Sequence, residues 1–299
     1  MSRPDLILMP VSVLAKFIGS FLSYLPPGIV LSILSAFIVD RTFLTAYRHE
    51  FRGTLTMIAF TFSAGKWVGS ESWEVAWFAH FLGVIAADKL SGGPHVNPAV
   101  SVSMWSLGKC TYTEMYVRIA GQMGGGLVAF PLYSFLSQKL GLNALGGPEF
   151  SLDDDDAASS IAAAAMSEYF ATLLLCFLIY LVNWELNFGT YHYWIKQSLT
   201  AISIRYLIVI FPTAGPSMNP MLGTAWAVFN SSTTGFPQNF EHYYVYWISP
   251  ILGALTASFV YAVYSGDSFF GSKLPFGPIA TIPIGGGPAT PSAPSKKSD

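Results

Sequence analysis

The sequence predicts an all-α membrane protein of six transmembrane helices plus two re-entrant half-helices, arranged as an inverted repeat, with an extra N-terminal apolar segment. Three observations carry this. First, 52% of the 299 residues are hydrophobic and only 11% are charged, whereas a soluble domain carries about 25% charged residues; the mean hydropathy is +0.48. Second, apolar runs of about 20 residues, enough to cross a bilayer, recur along the chain. Third, Gly93-Pro94-His95-Val96-Asn97-Pro98-Ala99-Val100 has a counterpart in Gly215-Pro216-Ser217-Met218-Asn219-Pro220-Met221-Leu222, so Gly-Pro-x-x-Asn-Pro occurs twice.

Residues 6–25 and 28–39 are apolar and split by Pro26-Pro27. Behind Arg3 they fit a cleaved signal peptide, a retained extra helix or a hairpin in the membrane interface. The chain divides into this N-terminal segment, 1–47, a helical domain, 48–264, with halves 48–138 and 158–264, and a tail, 265–299, whose Gly, Pro and Ser content predicts disorder. Spans are expected at about 51–69, 73–90, 112–137, 158–182, 193–211 and 243–264. The runs 97–108 and 219–229 read as helices too short to cross. Asp153-Asp154-Asp155-Asp156 lacks the ligand spacing of a calcium loop and reads as a solvated loop. Cys110 and Cys176 form no metal or redox spacing.

Basic residues set the orientation. Arg41, Arg48, Arg52, Lys89, Lys109, Arg118, Lys196 and the tail lysines fall on one side, which is therefore cytosolic; Lys66 and Lys139 fall on the other. Asn230-Ser231-Ser232 is a glycosylation sequon on the outer face. The net charge of −2 offers nothing to nucleic acid.

Two further pairs keep register with the repeated motif. Glu50-Phe51-Arg52-Gly53-Thr54 parallels Glu168-Tyr169-Phe170-Ala171-Thr172, and Gln122-Met123-Gly124-Gly125 parallels Pro250-Ile251-Leu252-Gly253. Three spans per half make the halves inverted in the membrane. Non-helical backbone at membrane depth must be buried or line a watery cavity. Each motif therefore reads as a loop that enters the membrane and returns as a half-helix, with Asn97 or Asn219 as N-cap and Pro98 or Pro220 in the first helical position. The two positive helix ends meet at the midplane, where the asparagine amides donate to a passing oxygen and cations are repelled. Glu50 and Glu168, costly inside a membrane, are expected to accept hydrogen bonds from the loop backbones; proton relay is the alternative role.

At these residues the chain resembles the aquaporin (major intrinsic protein) family over about 48–264. The first motif is similar to the family's Ser-Gly-x-His-x-Asn-Pro-Ala-Val, with His95 and Ala99 in place. Gly215-Pro216-Ser217-Met218-Asn219-Pro220 and Tyr244-Val245-Tyr246-Trp247-Ile248-Ser249-Pro250 resemble the small basic intrinsic proteins of plants, although the pI of about 6.2 departs from "basic". The resemblance implies a homotetramer without cofactors, embedded in lipid, in the endoplasmic reticulum or the plasma membrane.

The resemblance also implies a narrow filter on the outer side, built from four positions. Counted from the two asparagines, these are Trp77, Leu207, Pro216 and Leu222. Leu222 stands where the family has arginine, and Leu207 where water channels have histidine. An all-apolar filter gives water fewer compensating hydrogen bonds and favours small neutral solutes with apolar surface. Trp77 narrows the passage if it faces inward and leaves it wide if it faces lipid. Arg205 is a candidate surrogate for the missing charge; snorkelling to the interface is the plainer reading. Met221 replaces the second motif's alanine and is expected to alter packing where the half-helices meet. His95 offers a structural hydrogen bond or, by its titration range, a pH sensor. His49, His80, His192 and His242 receive no role.

The function that follows is passive passage of water and small neutral solutes such as glycerol, urea and peroxide. A secondary transporter also uses inverted repeats and broken helices, but no paired acid–base set for ion coupling stands out. A membrane enzyme lacks support, because the chain holds neither a His/Glu metal spacing nor a Gly-x-Ser-x-Gly turn. A non-conducting structural or regulatory relative is the remaining alternative.

Overall fold

In the computed structural model, residues 41–61, 73–141, 146–150, 157–213, 215–231, 235–275 and 278 are described. The 1–40 segment, Lys66, the aspartate run and the tail beyond 278 lie outside them. The helices are α1 (Arg41–Thr61), α2 (Trp73–Ser91), the short α3 (Pro98–Ser106), α4 (Tyr112–Leu140), α5 (Ala157–Tyr180), α6 (His192–Ile210), the short α7 (Pro220–Asn230), α8 (Phe240–Tyr243) and α9 (Ser249–Ser265). π-Helical turns, Leu181–Glu185 and Tyr244–Ile248, extend α5 and join α8 to α9. The second has a clear cause. Pro250 lacks an N–H and would clash with the preceding turn of an α-helix, and the wider turn lets the Ser249 hydroxyl donate to the Tyr244 carbonyl at 2.9 Å.

Among the described residues, three helices are long and apolar enough to cross a membrane: Tyr112–Leu140, Ser160–Glu185 and Phe240–Ser265. α1, α2 and α6 have 21, 19 and 19 residues, roughly 28–32 Å at ~1.5 Å per residue, which matches a hydrocarbon core of about 30 Å. They carry more polar side chains. The outer surface is apolar: Phe78, Tyr206 and Leu252 are 62%, 57% and 51% exposed, as contact with lipid requires.

The inverted repeat is visible in the packing. α1 crosses α4 and α5 crosses α9, each at a glycine. A methyl group on Gly125 would stand 2.7 Å from the Phe51 carbonyl oxygen, and one on Gly253 would collide with the Tyr169 carbonyl oxygen. Phe51 and Tyr169 each follow the acid that heads the repeat, so the sequence parallels are spatial ones.

Two boundaries differ from expectation. α1 begins at Arg41, so the expected start of the domain at 48 falls inside a helix. The apolar run marks the lipid-buried part of α1, while its basic inner turns continue the helix to pack on α4, where Gly121 and Gly124 lie against Tyr47. The tail is also ordered further than its composition suggested. Ser268–Phe269 pairs with Ser272–Lys273 across Phe270 and Gly271, whose φ values of 48° and 76° give the two-residue turn that suits a twisted hairpin. The Phe270 N–H donates to the Ser106 carbonyl at 2.7 Å, which satisfies an orphan acceptor at the end of α3.

Candidate functional site

The two Asn-Pro loops meet back to back. Asn97 caps α3, its Oδ1 accepting from the Ala99 N–H at 2.9 Å; Asn219 caps α7, its Oδ1 accepting from the Met221 N–H at 3.1 Å. Each amide also donates across the pseudo-symmetry axis: Asn97 Nδ2 to the Met218 carbonyl at 2.7 Å and Asn219 Nδ2 to the Val96 carbonyl at 2.9 Å. An amide nitrogen has two N–H groups, so each asparagine retains one. Both asparagines line the same cavity, of about 720 Å³.

The carbonyls that receive these bonds are aimed by strained backbone. Val96 and Met218 have φ of 51° and 48°, a region where a β-branched residue is an outlier and which costs of order 1–3 kcal/mol. The buried acids hold this geometry. Glu50 accepts from the His95 and Val96 N–H groups, both at 2.8 Å, and Glu168 accepts from those of Ser217 at 2.6 Å and Met218 at 2.8 Å. Their surroundings differ. Glu50 also receives Arg118 Nη1 at 2.7 Å and Gln122 Nε2 at 2.9 Å. Glu168 has no ion-pair partner among the described residues. The His95 ring lies 3.1 Å from the Ser101 hydroxyl, tied to the same network.

Pro98, Ala99, Pro220 and Met221 begin the half-helices as the motif implied. Met221 does not reach the cavity. It is fully buried in a core cluster and points at Gly126 of α4, where a methyl group would collide with its sulfur. The larger side chain is absorbed by a glycine on the opposite helix, away from the passage.

The outer wall corrects two of the four filter positions. Pro216 and Leu222 line the cavity; Trp77 and Leu207 do not. Leu207 is buried against Ala171, Leu175 and Met218, between α6 and α5. The cavity face of α6 is Lys196, Gln197, Thr200, Ile204 and Ile208, flanked by Arg205. Counting a fixed distance back from Asn219 goes one residue too far, and one residue rotates a helix face by roughly 100°. On α2 the wall is His80, Val84, Ala87 and Asp88; Trp77 lies one turn before His80. His80 and Ile208 were missed. The i, i+4 stripe Thr200–Ile204–Ile208 was the signal that would have found the α6 face. His80 is 5% exposed, and its Nε2, like Arg205 Nε, has no hydrogen-bond partner among the described residues.

Asn230 ends α7, exposed, and donates to Glu149 Oε1 at 2.9 Å; the same oxygen accepts from Trp226 Nε1 at 2.7 Å. Ser232 of the sequon lies outside the described residues.

Comparison with known proteins identifies the family. The family profile "Major intrinsic protein" matches residues 38–261. The chain belongs to that family. It is an integral membrane protein of a family of water and small-solute channels, not a family of enzymes. A probable aquaporin TIP-type RB7-5A of Nicotiana tabacum is 27% identical over 212 residues, covering 66% of this chain and 71% of that protein. Aquaporin SIP1-1 of Arabidopsis thaliana is 26% identical over 174 residues, covering 57% and 66%. Among solved structures, the aquaglyceroporin from Plasmodium falciparum superposes with a TM-score of 0.60 at 21% identity, covering 73% of this chain and 95% of that one, a likeness of fold.

Proposed function

We propose that the chain conducts water and small neutral solutes passively through this cavity, one pore per subunit of a homotetramer, in the endoplasmic reticulum or plasma membrane. The observation that carries the reading is the pair of asparagines, each with one N–H bound to the opposite loop and one left for a solute oxygen. A single file of solutes then replaces its hydrogen bonds at the centre, while two half-helix N-termini oppose cations there.

The outer filter in this reading is His80, Ile208, Pro216 and Leu222, with Arg205 supplying the charge that Leu222 lacks. Arg205 and Leu222 both line the cavity, which supports the substitution of one for the other. A mostly apolar rim with one guanidinium suits small neutral solutes that carry an acceptor oxygen, such as glycerol, urea and hydrogen peroxide. Glu50, Glu168 and His95 act as loop supports. Asn230 is proposed as a glycosylation site.

Stopped-flow shrinkage of proteoliposomes tests this. The expected result is unsaturable permeability with a low activation energy. Saturation or dependence on an ion gradient would identify a secondary transporter, and permeability equal to that of empty liposomes a non-conducting relative. Arg205→Leu is expected to raise glycerol relative to water flow and to increase proton leak; unchanged selectivity and leak remove the surrogate charge.

A further inference from the structure

Part of the outer cavity wall is neither a helix nor an Asn-Pro loop. Gly146, Gly147 and Pro148 line the cavity together with Gly215, Pro216 and Ser217. This strap is held from behind. Glu149 Oε1 accepts from Trp226 Nε1 at 2.7 Å and from Asn230 Nδ2 at 2.9 Å, so one carboxylate oxygen clamps it to α7. The Trp226 indole also lies against the strap, since a methyl group on Gly147 would collide with the ring. Phe150 packs on Tyr246 with ring centres 5.5 Å apart. On its other side the strap touches the second Asn-Pro loop: a methyl group on Gly215 would stand 3.2 Å from Pro148 Cα and 3.3 Å from the Glu149 nitrogen. These contacts fix the strap beside Gly215-Pro216, at the outer filter.

Glycine has no side chain, so what Gly146 and Gly147 present to the cavity is backbone. Among the described residues no hydrogen bond occupies the N–H or the carbonyl of either. The side chains around them offer few acceptors. Ile208, Pro216 and Leu222 are apolar. The Ser217 hydroxyl is engaged within its own loop, donating to the Asn219 carbonyl and accepting from the Asn219 N–H at 3.1 Å. His80 and Arg205 each keep a buried nitrogen, Nε2 and Nε, without a partner among the described residues. Arg205 can only donate, and a neutral imidazole has one acceptor nitrogen. The free carbonyls of the strap add acceptors to a wall whose side chains hold at most one.

We infer that the strap Gly146-Gly147-Pro148 is a specificity-determining part of the outer filter, with Glu149 as its positioning residue, and that its backbone carbonyls favour neutral solutes that bring several donor hydrogens. Glu149 is off the cavity wall and acts by holding the strap in place. The inference rests on the proposed conduction through this cavity. It is independent of the surrogate charge, because Arg205 stands on α6 and makes no hydrogen bond or ion pair with the strap.

Urea and acetamide test this. They share a shape, but acetamide has a methyl group where urea has a second amino group. The ratio of their permeabilities in proteoliposomes, above that of empty liposomes, therefore reports acceptors on the wall rather than its width. Glu149→Leu deprives Trp226 and Asn230 of their acceptor and releases the strap; the urea-to-acetamide ratio is expected to fall roughly 2–10-fold, the effect of one net hydrogen bond. Glu149→Gln keeps an acceptor oxygen there and is expected to hold the parent ratio. A strap that only stabilised the fold would lower both flows alike, so an unmoved ratio in Glu149→Leu overturns the inference, and so does a ratio in Glu149→Gln as low as in Glu149→Leu. If Glu149→Leu does not fold, Gly146→Cys carries the test, because a methyl group there meets nothing within 4 Å. It is introduced with Cys110→Ser, Cys176 being buried. Modification by a small neutral thiol reagent after reconstitution is expected to cause a loss of urea flow that thiol reduction restores; complete modification with unchanged flow overturns the inference. A parent with no flow above empty liposomes overturns the conduction reading and this one with it, whereas a conducting parent with an unmoved ratio overturns this one alone.

Discussion

The contact between Met221 and Gly126 makes a sharp test of how the second half-helix is seated. Gly126→Ala places a methyl group into the Met221 sulfur and 3.1 Å from both Met221 Cγ and Ala225 Cβ. Neither helix has room to yield, because Met221, Ala225 and Leu127 belong to one buried cluster. Overpacking of this kind costs about 1–3 kcal/mol. Met221→Ala alone empties the site and costs about 2–5 kcal/mol. In the double variant the new methyl group enters the space that the methionine vacated, so the combined loss falls below the sum by about 1–3 kcal/mol, within the range measured for residues in contact. Thermal unfolding in detergent, followed by tryptophan fluorescence, reads all four corners of the cycle. Losses that add to within about 0.5 kcal/mol, as distant sites do, would refute the contact.

The buried acids should differ in what they cost. Glu168→Gln leaves a loop N–H facing an amide donor, worth about 1–3 kcal/mol, whereas Glu50→Gln also breaks a buried ion pair, worth about 3–5 kcal/mol; a thermal midpoint lowered more by Glu168→Gln than by Glu50→Gln would contradict the assignment. Gly271→Ala forces an alanine into a left-handed turn at about 1–2 kcal/mol, and limited trypsin digestion should then cut faster at Lys273 while water flow persists. Glu149→Ala strips the buried Trp226 indole and Asn230 of their shared acceptor, and the unfolding midpoint should fall by an amount equivalent to about 1–3 kcal/mol.

The centre of the site was legible because its chemistry needs particular residues next to one another in sequence. A capping asparagine, a proline in the first helical position and an acid that accepts loop N–H groups each leave a local mark, and Asn97, Asn219, Glu50 and Glu168 carry them. The filter was not legible in the same way. It depends on which face of α2 and α6 meets the cavity, and that is set by the loops joining those helices to the motifs. Leu207 and Ile208 differ by one residue and point to different places. Met221 illustrates a third case: its size is visible in the sequence, but the glycine that accommodates it lies on another helix, 95 residues away. The hairpin at 268–273 was hidden by composition, since Gly and Ser mark a tight turn as readily as a disordered tail.

The helices that look least like membrane spans are the informative ones. α4, the α5 span and the α8–α9 span pass on length and hydropathy. α2 and α6 also run the depth of the domain, yet they carry His80, Asp88, Lys196, Gln197, Thr200 and Arg205, and every one of these lines the cavity. Had such groups faced lipid, each would have cost several kcal/mol without a partner; on the cavity wall Asp88 accepts from the Tyr193 hydroxyl, Lys196 donates to Asn183 Oδ1 and Thr200 donates to the Lys196 carbonyl. Polar residues on the cavity wall thus account for part of the lower hydropathy of these two helices. Along α6 the cavity face runs Lys196, Gln197, Thr200, Ile204, Arg205 and Ile208, and the Asp88 carboxylate of α2, bonded to the Tyr193 hydroxyl, stands at the Lys196 end.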